Sequence, residues 1–186
     1  GKTLCTAAIQ KAIDRCAEQG GGTVRLPSGV WLTGTLYLAS HVTLHLEKGC
    51  TLLGSRDRND YGRPRTVATG GQPASFAYPA ILAGSNLQDI AVTGDGTIDG
   101  QGEAFRDKTK VRPKAIYLTG CRDVHVENVT LKNAGSWMQH YRDCDRLTIR
   151  KITVFNHVSF NNDGLNIDSC RDVTIADCRV DSDDDG

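Results

Sequence analysis

A short motif that recurs in the second half of the chain sets the strongest limit on its fold. Its copies read CRDVHV, CDRLTI and CRDVTI and begin at Cys121, Cys144 and Cys170, which are 23 and 26 residues apart. A weaker copy begins at Asn86. Repeats of this length are typical of solenoids, in which each coil packs against its neighbours. The apolar positions carry β-branched residues and the leucine-rich repeat pattern is absent, so the motif predicts a right-handed parallel β-helix.

In such a fold the three cysteines form one column, because equivalent residues of neighbouring coils stack about 4.8 Å apart. A column of buried thiols that fill the core is the plainer interpretation. A disulfide between neighbours stays open on spacing alone. The seven cysteines of the chain are an odd number, and none forms a Cys-x-x-Cys pair, so the sequence predicts no zinc site.

The rest of the chain fits one partial β-helix domain over residues 1–186. Residues 6–19 have apolar side chains at helical spacing and precede three glycines, which predicts a single α-helix that caps the open end of the β core. Short alternating runs over 23–186 predict the coils. Residues 56–78 and 103–113 break the pattern and are expected to be surface excursions. The chain stops within its own pattern, so we expect a fold that is truncated at its C-terminal end.

The composition excludes some function classes. Lys plus Arg equals Asp plus Glu at 22 each, so no overall field favours nucleic acid. No run approaches the roughly 20 apolar residues that a membrane span needs. The sequence therefore predicts neither a nucleic-acid partner nor a membrane partner.

Carboxylates concentrate at the end of the chain. Asp163 precedes Asp184 and Asp185 by 21 and 22 residues, close to one coil, so the three side chains are expected in one patch. Carboxylates that close raise the pKa of at least one of them. A neutral acid beside ionised neighbours is what an inverting glycosidase needs, since one group protonates the leaving oxygen and another activates water. The repeat also predicts that His140 shares a column with Asp163, and that the groove passes Trp137.

At these residues the chain resembles glycoside hydrolase family 28, the polygalacturonase family, over its N-terminal and central part. The runs GGGTVRLPSG from Gly20 and GDGTIDGQG from Gly94 are similar to fold-marking segments of that family, as are residues 133–140. Two active-site motifs are more specific. Asn-Thr-Asp matches residues 161–163, with Asn162 in place of Thr, and the paired Asp motif matches residues 184–185, with Asp183 in place of the usual Gly. The Gly-His-Gly and Arg-Ile-Lys motifs are expected beyond Gly186.

The resemblance implies metal-free, inverting hydrolysis of α-1,4 galacturonosyl bonds in pectin. It implies Asp184 as the general acid, and Asp163 with Asp185 as the groups that hold and deprotonate water. Asn161 would orient that site, and His140 and Trp137 are candidates for substrate contact. We expect no cofactor, a pectic polysaccharide such as polygalacturonate as the partner, and a monomer. The parent protein is expected to be secreted or periplasmic, and this piece alone to be inactive.

Other interpretations stay open from the sequence. A calcium-dependent pectate lyase on the same fold would need a carboxylate cluster around Ca²⁺ and an Arg base. A non-catalytic, glycan-binding β-helix would share the coils without needing the three carboxylates. The run DSDDDG from Asp181 also fits the first half of an EF-hand loop, although no helix precedes it.

Overall fold

The computed structural model describes residues 3–62, 79–107, 110 and 112–186. In these ranges the chain forms one α-helix, α1 (Thr6–Glu18), and seventeen short strands, numbered β1 to β17 along the chain. Every strand pairing is parallel, and each strand pairs with the strands three positions before and after it. This is the pattern of a chain that winds repeatedly through three sheets. The predicted right-handed parallel β-helix is confirmed.

Each coil contributes one strand to each sheet. The first sheet contains β1 (Gly22–Leu26), β4 (Val42–Leu46), β7 (Gln88–Thr93), β10 (Arg122–Glu127), β13 (Asp145–Arg150) and β16 (Arg171–Ala176). The second contains β2 (Gly29–Thr33), β5 (Cys50–Gly54), β8 (Thr97–Asp99), β11 (Thr130–Lys132), β14 (Thr153–Asn156) and β17 (Arg179–Ser182). The third contains β3 (Leu36–Tyr37), β6 (Ala80–Ser85), β9 (Lys114–Thr119), β12 (Gln139–Arg142) and β15 (Asn166–Asp168).

Helix α1 covers one end of the coils, as predicted for residues 6–19. Ile9 and Ile13 are buried and the helix packs against β1, β3 and β4. The side-chain amide of Gln10 donates to the carbonyl oxygen of Tyr37 at 2.9 Å and accepts from its N–H at 2.7 Å. Gln10 therefore satisfies both backbone groups of β3 as a neighbouring strand would, which protects the edge of the third sheet.

The core consists of columns of apolar side chains that point inward from successive coils. Leu44, Val92, Val126 and Ile149 form one such column and are almost fully buried. Cysteines lie at the start of the first-sheet strands in three coils. Cys121 and Cys144 are each 1% exposed, and the Cys170 Sγ accepts from the Cys144 N–H at 3.4 Å. The predicted column is present, and all three are free thiols.

The third position of the repeated motif has a left-handed backbone in every coil where it occurs. Its φ angles are 53° at Asp89, 55° at Asp123, 53° at Arg146 and 52° at Asp172. Asp tolerates this region better than most residues, because its short polar side chain can bond locally. Arg146 is the exception, and two hydrogen bonds of 2.6 Å join its guanidinium to the carboxylate of Asp123.

The predicted column of His140 and Asp163 is wrong. In the third sheet His140 pairs with Asn166, although Thr130 of the second sheet pairs with Thr153. The offset between coils is thus 23 residues in one sheet and 26 in the next. The three additional residues lie in the turn between β14 and β15, which carries Asp163. Counting from the cysteines assumes coils of equal length, and the unequal turn displaces Asp163 from the column.

The excursions are described only in part. Residues 63–78 of the predicted 56–78 segment, and 108, 109 and 111 of the predicted 103–113 segment, lie outside the described residues. The remaining parts contain two short 3-10 turns, Arg58–Asp60 and Gly102–Phe105. Among the residues that the structure describes, no helix is both long and apolar enough to cross a membrane.

Candidate active site

The turn between β14 and β15 is held by buried amides. Asn162 is 1% exposed and Asn156 is fully buried. The Asn162 side-chain amide donates to the Asn156 side-chain oxygen at 3.1 Å, and its own oxygen accepts from the Ser159 N–H at 2.7 Å. Asn156 in turn joins the Ala134 N–H and the Asp163 carbonyl oxygen, at 2.9 and 3.1 Å. The residue that replaces Thr in the family motif is therefore an internal brace of this turn.

The second excursion fastens the outer side of the same turn. Arg112 donates to the carbonyl oxygen of Phe160 and, at 2.8 Å, to the side-chain oxygen of Asn161. Arg106 donates to the carbonyl oxygen of Val158 at 2.8 Å. Asn161 is exposed and has a left-handed φ of 50°, a conformation that asparagine tolerates. Its side chain is thus oriented by an arginine distant in sequence.

Asp163 lies beneath this turn and is 4% exposed. The side-chain amide of Asn166 donates to its carboxylate at 2.9 Å. Burial raises the pKa of Asp163, the hydrogen bond from Asn166 opposes this, and the negative charges of Asp184 and Asp185 add to the rise. A carboxylate with a raised pKa is a stronger base towards water, provided that it is ionised.

The acidic pair follows directly on the end of a strand. Strand β17 ends at Ser182 and the chain bends at Asp183 and Asp184. The Gly164 N–H donates to the carbonyl oxygen of Asp185 at 2.7 Å, which ties the residue after Asp163 to the pair. On a regular strand adjacent side chains point to opposite faces. The bend removes that restriction, so Asp184 and Asp185 can both be near Asp163.

Asp183, which replaces the usual Gly of the family motif, contacts a histidine of the previous coil. The Nδ1 atom of His157 bonds the Asp183 carboxylate, and its Nε2 atom bonds the Asp181 carboxylate at 2.8 Å. The hydrogen bond with Asp183 raises the pKa of His157, and the bond with Asp181 adds to this. The substituted position is thus joined to the neighbouring coil by a charge-assisted contact.

A groove of about 550 Å³ lies beside the carboxylates. Its lining combines apolar and polar side chains: Trp137, His140, Arg142, Leu165, Asn166, Ile167, Asp168 and Asp185. The Trp137 and His140 rings contact each other edge to face, with centroids 4.9 Å apart. An aromatic surface with several donors and acceptors nearby is suited to a sugar ring, which has apolar C–H faces and polar hydroxyl edges.

A buried lysine lies behind this wall of the groove. Lys114 is 4% exposed, and its Nζ is 2.9 Å from the Nδ1 of His140 and 3.8 Å from the centre of the Trp137 ring. Burial lowers the pKa of Lys114 to about 7, although Asp163 opposes that shift. Burial also lowers the pKa of His140 to about 4, with the charge of Lys114 as the next cause.

Of the six residues predicted for the site, the structure places five around one region. Asp163, Asp184 and Asp185 are close enough to interact electrostatically, and Trp137, His140 and Asp185 line the groove. Asn161 lies on the exposed side of the turn against Arg112, away from those lining residues. No group of three or more His, Cys, Asp or Glu side chains in the described ranges is arranged to hold a metal ion.

Sequence reasoning missed Lys114, Arg142, Asn166 and Asp168. Lys114 opens a strand and reads as solvent-exposed. Asn166 follows Asp163 by three residues, and its pairing with His140 depends on the unequal turn. The signal that could have found Lys114 is its place directly before the apolar run Ala-Ile-Tyr-Leu.

A parallel β-helix with carboxylates gathered beside a sugar-sized groove has the architecture of a polysaccharide-degrading β-helix enzyme. The sequence profile of Glycosyl hydrolases family 28 matches residues 16–186. The chain therefore belongs to glycoside hydrolase family 28.

Individual relatives agree with this assignment. The chain is 37% identical to a protein of Vitis vinifera named as a probable polygalacturonase, over all of this chain and 40% of that protein. It is 28% identical to an endo-polygalacturonase of Pectobacterium carotovorum, over 98% of this chain and 50% of that one. The solved structure of an exopolygalacturonase from Thermotoga maritima superposes with a TM-score of 0.80 over 97% of this chain and 49% of that chain; at 24% identity this likeness shows the fold. The chain thus spans about half the length of these relatives or less.

Proposed function

We propose that this chain supplies the carboxylates of a pectin-degrading glycoside hydrolase that cleaves α-1,4 galacturonosyl linkages with inversion. The observation that carries the proposal is the hydrogen bond from the Gly164 N–H to the Asp185 carbonyl oxygen, which brings Asp163 beside Asp184 and Asp185. Relatives named as polygalacturonases support the choice of substrate.

The roles follow from the needs of inverting hydrolysis. One carboxylic acid protonates the glycosidic oxygen as the bond to the sugar breaks, and a carboxylate on the opposite side takes a proton from the attacking water. Asp184 is the proposed acid. Asp163 and Asp185 are the proposed base and water-holding groups, and the raised pKa of Asp163 suits a base. No step of this chemistry requires a cofactor.

Substrate contacts are proposed for the groove wall and the turn. Trp137 offers a ring surface for the apolar face of a sugar, and His140 offers a ring nitrogen to a hydroxyl. Asn161, oriented by Arg112, is proposed to help position the water or the substrate. The proposed partner is polygalacturonate, acted on by a monomeric protein that is secreted or periplasmic.

The test is release of reducing ends from polygalacturonate, with and without EDTA, by the protein at its full natural length. Wild type, Asp184→Asn and the control Asp172→Asn, an exposed position on β16, are compared. We expect activity that survives EDTA, falls at least 1,000-fold in Asp184→Asn, and is unchanged in the control.

Other outcomes would overturn the proposal. Activity that EDTA abolishes, with unsaturated products that absorb in the ultraviolet, would indicate a calcium-dependent lyase. Polysaccharide binding that persists in Asp184→Asn, without any hydrolysis by wild type, would indicate a non-catalytic glycan-binding protein.

A further inference from the structure

Lys114 occupies an unusual place for a lysine. It begins β9, directly before an apolar run, and its side chain is 4% exposed. Lysine is almost never this deeply buried unless it has a partner, because desolvation of an ammonium is costly. The nearest groups are both walls of the groove: His140 Nδ1 at 2.9 Å and the Trp137 ring centre at 3.8 Å. A methionine of the same length would pack there without that cost, so the ammonium calls for an explanation beyond packing.

The contact with His140 determines how that ring is protonated. An ammonium has three donors and no acceptor, so the Nδ1 atom of His140 must accept from Lys114. A neutral imidazole then carries its proton on Nε2. The Nε2 atom lies 3.7 Å from the Oδ2 atom of Asp168, and both residues line the groove. The groove wall therefore presents a donor and an acceptor side by side.

The charges around the pair favour this state over a defined pH range. Lys114 faces Asp163 and His140, and burial lowers its pKa to about 7. His140 faces Lys114, Asp168 and Arg142, and burial together with Lys114 lowers its pKa to about 4. Between about pH 4 and pH 7 the lysine is charged and the histidine is neutral.

We propose that Lys114 is a positioning residue that fixes His140 as the Nε2–H tautomer, so that His140 and Asp168 together bind a hydroxyl group of a sugar. A hydroxyl between them accepts from the Nε2–H and donates to the carboxylate. The role of Lys114 is exerted through His140, since Lys114 itself does not line the groove. The sugar-binding part of this proposal rests on the proposed function; the tautomer part does not.

The first experiment reads the tautomer without any substrate. The protein at its full natural length is labelled with ¹⁵N-histidine, and the ring nitrogens are recorded at pH 5.5 and across a titration. The His140 signal is assigned by its loss in His140→Gln. We expect the Nε2–H tautomer and a pKa near 4 in wild type. In Lys114→Met we expect a mixture of tautomers and a His140 pKa that is higher by about one unit, because the neighbouring positive charge is gone.

The wild-type spectrum alone can overturn the proposal. An Nδ1–H tautomer, or a charged His140 at pH 5.5, would contradict it even if the variant fails to fold. An unchanged tautomer and pKa in folded Lys114→Met would equally contradict it. The control is Lys151→Met, which makes the same change at an exposed lysine and should leave the His140 signals unaltered.

The second experiment measures hydrolysis of oligogalacturonides at pH 5.5. Loss of one oriented hydrogen bond to the substrate should raise the KM of Lys114→Met about tenfold and change kcat less, whereas Lys114→Arg, which retains a charged donor, should recover part of the affinity. Equal kinetics for Lys114→Met and wild type would overturn the role in sugar binding. If wild type hydrolyses no pectic substrate, the proposed function fails, and the tautomer experiment still decides what Lys114 does to His140.

Discussion

The backbone N–H of Gly164 donates to the carbonyl oxygen of Asp185 at 2.7 Å, and this bond joins two turns that are a full coil apart in sequence. Asp163 precedes the donor, and Asp184 precedes the acceptor. The separation of the two carboxylates is therefore determined by backbone geometry as well as by their own side chains.

Gly164→Ala should disturb this relationship. A Cβ at Gly164 would lie 2.3 Å from the Cγ1 of Val180 on β17, so the strand or the turn has to move. We expect kcat/KM to fall roughly 10- to 100-fold, with a loss of about 1–3 kcal/mol in the free energy of unfolding. Kinetics and urea unfolding measure the two effects. Gly164→Ala combined with Val180→Ala makes room for the methyl group and should recover most of the activity; failure of this rescue would show that the clash is not the cause.

The buried amides of Asn156 and Asn162 should behave as one unit. Each single substitution to alanine leaves buried polar groups without partners, which costs about 2–3 kcal/mol of unfolding free energy. Because both singles break the same 3.1 Å contact, the double variant should lose about 1 kcal/mol less than the sum. Urea unfolding of the four proteins gives the coupling. Strict additivity would mean that the two amides act independently.

Asn166 should control the acid side of the pH profile. Its hydrogen bond lowers the pKa of Asp163 against the raising effects of burial and of Asp184 and Asp185. Asn166→Ala removes that donor, so the base would lose its proton only at higher pH. We expect the acidic limb of kcat/KM against pH to move upward by about one unit, since one hydrogen bond is worth roughly 1 kcal/mol. Asn166→Ser, which keeps a donor, should show a smaller shift, and an unmoved limb in both variants would exclude Asp163 as the group that the limb reports.

Lys114→Met should make the protein more stable at acidic pH. A buried lysine whose pKa is about 7 lowers the free energy of unfolding by roughly 3–5 kcal/mol while it is charged. Loss of its contacts offsets part of this, which leaves a net gain of about 1–3 kcal/mol for the variant.

The sign of the pH dependence follows from linkage. The folded-state pKa lies below the unfolded value of about 10.4, so the cost is complete below pH 7 and disappears as the pH rises towards 10. Urea unfolding at pH 5.5, 7.5 and 9.5 should show the advantage of Lys114→Met shrinking. An advantage that is constant with pH would contradict a charged Lys114 in the folded protein.

The fold could be predicted because each coil repeats a local pattern. The motif that begins at Cys121, Cys144 and Cys170 recurs with apolar residues at fixed positions, and register in a parallel stack follows from such alignment. The left-handed residue at its third position is visible as a repeated aspartate. The helix over 6–19 was equally clear, since glycines follow it directly.

The site could be predicted only in part, for two physical reasons. His140 was assigned to the wrong column because sequence spacing does not show in which turn of a coil the additional residues lie. Lys114 and Arg112 were missed because their roles depend on partners 26 and 49 residues away, His140 and Asn161, and a cation reads as exposed until its neighbours are known.

The turn between β14 and β15 has a wider consequence. The strands before it keep the 23-residue offset of the second sheet, and the strands after it keep an undisturbed ladder in the third. The scaffold therefore tolerates a change of length at this point, because the hydrogen-bonded stack on each side absorbs none of it. In proteins wound like this one, the position of a reactive side chain can be altered by lengthening one corner of a coil. Active-site geometry and thermodynamic stability can then vary separately during evolution.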